Sequence, residues 1–237
     1  MYCHAMATFA LGEAYGMTGD ENLREPVRRA VARTLRDQNP TSGGWRYYPG
    51  DPGDTSQLGW QLMALKSAEL AGIPMPDVTQ RGAVRFLESV RAGQHGGLAS
   101  YRPGERPTRP MTAEALACRQ FLGLFPDYSL AREAGDYLLA ELPGQGAKNF
   151  YYWYYGTLAM FQLQGPHWER WNSSLRTTLV RSQRKSGPLA GSWDTDTVWG
   201  SYGGRVYTTA LGALCLEVYY RFLPLYVEVA SGPLPRR

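Results

Sequence analysis

A helical segment pair that recurs along the chain, joined each time by a glycine-rich or aromatic loop, constrains this sequence more than any other feature. An amphipathic segment with apolar residues at helical spacing appears four times, at Ala30–Gln38, Ala83–Val90, Ala134–Leu142 and Leu175–Gln183. Loops follow at Gly43-Gly44-Trp45, at Gly96-Gly97-Leu98 and at Gly191-Ser192-Trp193, while the third in chain order runs through Asn149-Phe150-Tyr151-Tyr152-Trp153. After each loop a more apolar segment begins near a threonine: Asp54-Thr55 to Gly72, Thr112 to Phe125, Tyr155-Gly156-Thr157 to Gln164, and Tyr207-Thr208-Thr209 to Leu223. His4 to Tyr15 is of the same apolar type. Asp or Thr at such a start is N-cap chemistry, a side-chain oxygen accepting from a free backbone N–H. Pro74, Pro126 and Pro224 stand just past the expected helix ends.

The pattern predicts nine helices, alternately polar-faced and apolar, repeating every ~40–58 residues, with no convincing strand alternation. A hairpin of this kind cannot bury its own apolar face, so stacked neighbours must do it, in a solenoid or a closed ring. The apolar helices are expected to form the inner set. Gly59, Ala64, Ala117, Gly212 and Ala213 allow them close approach. The partners over 24–38, 80–91, 130–142 and 168–184 are expected outside, and the glycine-rich loops are expected at the end where the inner helices begin. This is an all-α, single-domain reading, with the repeat over 1–225 and a tail over 226–237.

Composition narrows the function classes. With 237 residues, 43% of them hydrophobic, one sizeable core is available. The net charge of +4 comes almost wholly from arginine, spread over polar helix faces as in Arg24, Arg28, Arg29, Arg33 and Arg36. No basic run suggests a nucleic-acid arm. The most apolar stretch, Thr208 to Ala230, is broken by Glu217, Arg221, Pro224 and Glu228 before it reaches the roughly 18 residues of a membrane span. Met1 is not followed by a signal-peptide pattern. Cys3, Cys118 and Cys215 are odd in number and scattered, which fits reduced thiols and a cytoplasmic location. Because helical periodicity begins almost at Met1, the sequence also reads as the C-terminal part of a longer repeat protein.

Gln38 with Gly44-Trp45, and Gln183 with Gly191-Ser192-Trp193, resemble the Gln…Gly-x-Trp repeats of squalene and oxidosqualene cyclases. Gln can cap a helix end while Trp stacks over it, tying one hairpin to the next. Two full matches and two degenerate ones cover most of the chain. The resemblance to the terpene cyclase and protein prenyltransferase superfamily implies an α/α toroid, typically of about six hairpins, of which four and a half are visible, so an incomplete or open ring is expected. Polysaccharide lyases, glycosidases and complement-like thioester domains use the same barrel, so the fold does not fix the function.

Asp51-Pro-Gly-Asp54-Thr55-Ser56 resembles the Asp-x-Asp-Asp-Thr-Ala motif of class II cyclases, in which the middle Asp protonates an alkene or epoxide. Aligned on Thr55, that position is Gly53, so the chain as it stands is not expected to perform class II, protonation-initiated cyclisation; Asp54 also reads as a plain N-cap. Asp194 and Asp196, in Asp194-Thr-Asp196-Thr197, form a second carboxylate pair, suited to a metal or a shared proton or simply to an exposed turn. His4 is a candidate base or a wall residue bonded to a carbonyl. Catalytic candidates are therefore Asp54, Asp51, Asp194, Asp196 and His4, and ligand-binding candidates are Trp45, Trp153, Tyr155 and Tyr207. The scattered His and Cys make no metal site by spacing, and the Asp, Cys and His that ligate zinc in prenyltransferases have no placeable counterparts. No cofactor is implied.

Aromatic side chains around Phe150–Tyr155, Tyr47-Tyr48 and Trp199…Tyr202 are expected in the loops at the mouth, where they would stabilise cations, stack on sugars or fill space. The leading expectation is an apolar cavity acting on or binding an isoprenoid-type small molecule. The alternatives are a non-catalytic scaffold for a protein partner and a carbohydrate-binding or -processing barrel.

Overall fold

A computed structural model describes residues 1–124 and 127–221. Nine α-helices are found among them: α1 (Tyr2–Thr18), α2 (Glu21–Arg36), α3 (Thr55–Leu70), α4 (Asp77–Ser89), α5 (Arg109–Phe121), α6 (Tyr128–Leu139), α7 (Phe150–Leu163), α8 (Gly165–Ser182) and α9 (Gly200–Arg221). The sequence pattern gave no sign of the one small sheet, a two-residue antiparallel hairpin of β1 (Arg91–Ala92) and β2 (Leu98–Ala99), with Arg91 opposite Ala99. The expected positions Phe125, Pro126, Leu223, Pro224, Glu228 and Ala230, and the tail over 226–237, lie outside the described residues.

Short polar side chains start the apolar helices. Asp54 Oδ1 accepts from Gln57 N at 2.8 Å, Thr108 Oγ1 from Met111 N at 3.4 Å, and Asn149 Oδ1 from Tyr152 N at 3.1 Å. Each supplies an acceptor to a backbone donor that the first helical turn leaves free. Two of these starts differ from the sequence expectation. Thr112 lies inside α5, and Thr157 lies two turns into α7, because Asn149 is the better cap. As a result the aromatic run Phe150–Tyr155 is the buried first half of a helix rather than a loop.

The odd-numbered helices pack in succession, α1 on α3, α3 on α5, α5 on α7 and α7 on α9. The even-numbered helices lie against this row, α2 on α1 and α3, α4 and α6 on α5, α8 on α7. Burial separates the two sets. α3, α5 and α7 are buried at almost every position, whereas α2, α4, α6 and α8 bury a single stripe, such as Val27, Val31 and Thr34 in α2. This is the order expected of the apolar and polar-faced segments. At Gly59, an added Cβ would stand 2.0 Å from a Glu114 oxygen, so glycine is what lets α3 and α5 come this close.

Loops tie neighbouring hairpins together. Gln38 Nε2 donates to Gly43 O (2.8 Å) in its own loop and to Thr79 O (3.0 Å) on α4. Arg85, also on α4, donates to Thr41 O and Pro40 O. In the next loop, Glu133 of α6 accepts from the backbone N–H groups of Gln94, His95 and Gly97 at 2.6, 3.0 and 2.7 Å. One hairpin further on, Ser174 and Thr178 of α8 donate to Pro143 O at 2.7 and 3.1 Å.

Trp45 and Trp193 are structural. Both are buried, and their indole N–H groups donate to Thr34 O (2.8 Å) on α2 and Leu179 O (2.9 Å) on α8. Each ring therefore covers the C-terminal turn of the even helix before it, although Leu179 O also accepts from Gln183 N at 3.0 Å. None of the helices among the described residues is long and apolar enough to cross a membrane.

Candidate functional site

At the end of the row where α1, α3, α5 and α7 begin, a set of polar side chains is buried against a wall of aromatic rings. Its centre is Glu114, in the first half of α5 and fully buried. Tyr151, in the first turn of α7, donates its hydroxyl to Glu114 Oε2 at 2.7 Å. Oε1 has no hydrogen-bond partner among the described residues. Tyr155, one turn on, draws on the same carboxyl without reaching hydrogen-bond geometry. Loss of hydration pushes the Glu114 carboxyl well above the ordinary carboxylate range; the Tyr151 hydrogen bond opposes this, and the negative charge of nearby Asp54 reinforces it. Burial, with the Glu114 carboxyl next in order, likewise raises Tyr151 and Tyr155, so these phenols stay neutral donors.

Asp54 stands beside this carboxyl. It is fully buried, caps α3 through Oδ1, accepts from Ser56 Oγ at 2.8 Å, and faces Arg46 Nε across 3.4 Å through Oδ2. Ser56 is joined in turn to the Tyr2 hydroxyl at the start of α1. The positive ends of helix dipoles favour a carboxylate at such a place. Above the cluster, the Tyr47 and Tyr101 hydroxyls lie 3.1 Å apart and the Arg46 guanidinium sits 5.3 Å from the Tyr47 ring centre. Below it, Trp60 of α3 meets Tyr154 and Tyr155 of α7 at ring separations of 6.4 and 6.0 Å. These rings occupy the space between α3 and α7. Two surface depressions lie elsewhere, one of about 520 Å³ along α8 beside Ser173 and Thr177, the other of about 160 Å³ between α1 and α3 at Gly12 and Ser67.

Of the residues expected from sequence, Asp54 and Tyr155 meet in this cluster. Asp51 instead accepts from Tyr48 N in the preceding loop. Gly53 has φ +97°, and an added Cβ would stand 2.8 Å from Gly44 Cα, so no carboxylate side chain fits there. His4 Nε2 lies 3.0 Å from Thr34 Oγ1 and 3.2 Å from Ala30 O, joining α1 to α2; burial and the nearby Arg33 charge lower its proton affinity. Asp194 pairs with Arg184 and Arg205, and Asp196 pairs with Lys148. Both carboxylates are partnered at the far end of the row. Trp153 is buried against Phe150, and Tyr207 packs on the same core. Among the described residues no group of three or more His, Cys, Asp or Glu could hold a metal ion.

Glu114 is the residue that sequence reasoning missed. Its signal was present: it is the one carboxylate in the apolar run Met111–Cys118, which is unusual for a side chain so costly to bury. No protein-family model matches the chain, and no curated protein matches it significantly.

Proposed function

We propose that this chain is a repeat domain of the terpene cyclase and protein prenyltransferase type, an arc of an α/α toroid whose odd helices face the axis. Its chemical centre is the Glu114–Asp54–tyrosine cluster, acting as a general acid on an apolar, isoprenoid-type ligand. One observation carries the reading: a fully buried carboxyl whose proton affinity is raised by loss of hydration, with one oxygen unpartnered among the described residues, beside a wall of aromatic rings. An alkene is a weak base, and only an undissociated acid in dry surroundings can protonate it. The Glu114 proton would pass to an alkene carbon, leaving a carboxylate and a carbocation. Tyr151 would stabilise the carboxylate through its existing hydrogen bond. Trp60, Tyr154 and Tyr155 would stabilise the cation through their ring faces. A proton returned from carbon to Glu114 completes a redox-neutral isomerisation or cyclisation. The acid missing at Gly53 is thereby supplied from the neighbouring odd helix.

The test is incubation with squalene, oxidosqualene and a linear prenyl diphosphate. The expected outcome is a rearranged or cyclic product, lost by about 100-fold or more in Glu114→Gln and retained in Asp51→Asn. Turnover indifferent to Glu114→Gln would overturn the assignment.

A second reading, a non-catalytic scaffold for a protein partner, is favoured by the Trp60–Tyr154–Tyr155 contacts, since rings that fill the space between α3 and α7 leave a ligand to displace them. Absence of both product and ligand-induced change in Trp60 fluorescence would select it.

A further inference from the structure

The contact between Asp54 and Arg46 is an ion pair but not a hydrogen bond. Arg46 Nε stands 3.4 Å from Asp54 Oδ2, and neither atom has a hydrogen-bond partner among the described residues. Asp54 is fully buried, and its other oxygen is fully used, Oδ1 accepting from Gln57 N and from Ser56 Oγ, each at 2.8 Å. A buried donor and a buried acceptor left open side by side are costly, and such a pair calls for an occupant.

The chemistry of the pair selects the occupant. The Arg46 Nε–H gives a hydrogen bond and the Asp54 oxygen takes one. A hydroxyl answers both, its oxygen accepting from Arg46 while its hydrogen goes to Asp54. One oxygen can stand about 2.8 Å from each of two atoms that are 3.4 Å apart. An ether, an epoxide or a carbonyl accepts without donating and leaves Oδ2 open. A phosphate brings its charge against a buried carboxylate, and Arg46 is already balanced one to one by Asp54. The chain itself places a hydroxyl in this neighbourhood. The Tyr101 phenol is drawn to both Asp54 and Arg46 without completing a bond to Oδ2 or Nε, and its hydroxyl lies 3.1 Å from that of Tyr47. Burial first, then the Tyr47 hydrogen bond and the Asp54 charge, raise this phenol, so it keeps its proton. Its backbone is fixed by Thr55 N, which donates to Tyr101 O at 3.0 Å, but its side chain is only partly buried. An incoming hydroxyl therefore has one side chain to turn aside.

We infer that Asp54 Oδ2 and Arg46 Nε form the head-group site for a neutral, hydroxyl-bearing isoprenoid, whose carbon chain runs toward the wall of Trp60, Tyr154 and Tyr155. The inference rests on the reading that the cluster takes an apolar ligand. It adds the class of that ligand, an alcohol rather than a hydrocarbon, an epoxide or a diphosphate.

The experiment is calorimetric titration of the full chain with geraniol, its methyl ether and geranyl diphosphate. The alcohol is expected to bind at least about tenfold tighter than either of the others. Asp54→Asn keeps the Oδ1 cap but donates where the carboxylate accepts, so the ratio of alcohol to ether should fall to about one. Arg46→Met removes a donor that alcohol and ether share; it should weaken both by about fivefold and preserve their ratio. Circular dichroism checks that each variant keeps its helicity. Alcohol and ether bound alike by the wild type, as when a water molecule holds the pair, would overturn the proposal. So would tighter binding of the diphosphate, a preference that survives Asp54→Asn, or no binding of geraniol. Glu114→Gln should keep the preference for the alcohol, so a failed acid assignment shows in turnover and a failed head-group site shows in this ratio.

Discussion

The corners at Trp45 and Trp193 are built alike and finish differently. In both, an indole N–H closes the last turn of an even helix and a glutamine holds the glycine loop. At the first corner the glutamine has a second acceptor on the next hairpin; at the last it has none among the described residues. The same local sequence thus serves two ranks of interaction. The indole bond belongs within one hairpin and forms wherever the motif occurs. The glutamine bond between hairpins exists only where a neighbour stands.

Truncating the rings should produce the largest effects and show how alike the corners are. Trp45→Ala and Trp193→Ala should each cost about 3–5 kcal/mol, since each removes a fully buried aromatic ring and its indole hydrogen bond. Urea unfolding reads this directly, and a loss below about 1 kcal/mol at either site would break the equivalence.

The glutamines should separate the corners. Gln38→Ala should cost about 1–3 kcal/mol, because it removes the donor to Gly43 O and breaks the bond to Thr79 O on the next hairpin. Gln183→Ala, at a more exposed site with one bond, should cost under about 0.5 kcal/mol. Equal losses would mean that the bond to Thr79 contributes nothing between hairpins.

A smaller effect, under about 1 kcal/mol near neutral pH, is expected for Glu133→Gln at the middle loop. Burial tends to raise this carboxyl, but the three N–H bonds from Gly97, His95 and Gln94 together outweigh it and hold the group below its usual value. The sign follows from linkage. A depressed folded value gives stability that is present above the unfolded value of about 4.5 and lost as pH falls through the folded one. Thermal unfolding between pH 6 and 3 should therefore converge for the two proteins; a gap that widens toward acid would contradict this.

Much of the fold was legible because helical period and N-cap chemistry are local. His4 to Tyr15 falls in α1, Asp54-Thr55 marks the start of α3, and each of the four amphipathic segments overlaps an even helix that ends one to three residues earlier, while α5 and α7 begin three and seven residues before Thr112 and Thr157. The aromatic run Phe150–Tyr155 was misread as a loop, because six large rings in succession have no polar face from which periodicity could be taken. The site was legible only in part. Asp54 was visible through its motif, and Tyr155 through its place in the aromatic run. Glu114 gains its chemistry from Gly59 and Tyr151, which lie 55 and 37 positions away in sequence, and no window along the chain brings them together. Asp194 and Asp196 looked like a pair, but Arg184, Arg205 and Lys148 had claimed them separately.

The central claim is that Glu114 is a neutral acid in the folded chain, and the most direct measurement is its carboxyl titration. Labelling glutamate side chains with carbon-13 and assigning the Glu114 resonance by its loss in Glu114→Gln lets the group be followed alone. Because its folded value is raised, the folded chain holds a proton that the unfolded chain releases, and the contribution of Glu114 to stability declines as pH rises above about 4.5. The account predicts a Glu114 resonance that keeps its protonated position through neutral pH, with Glu114→Gln flattening the decline in stability. A resonance that titrates between pH 4 and 5, like an exposed glutamate, would contradict it.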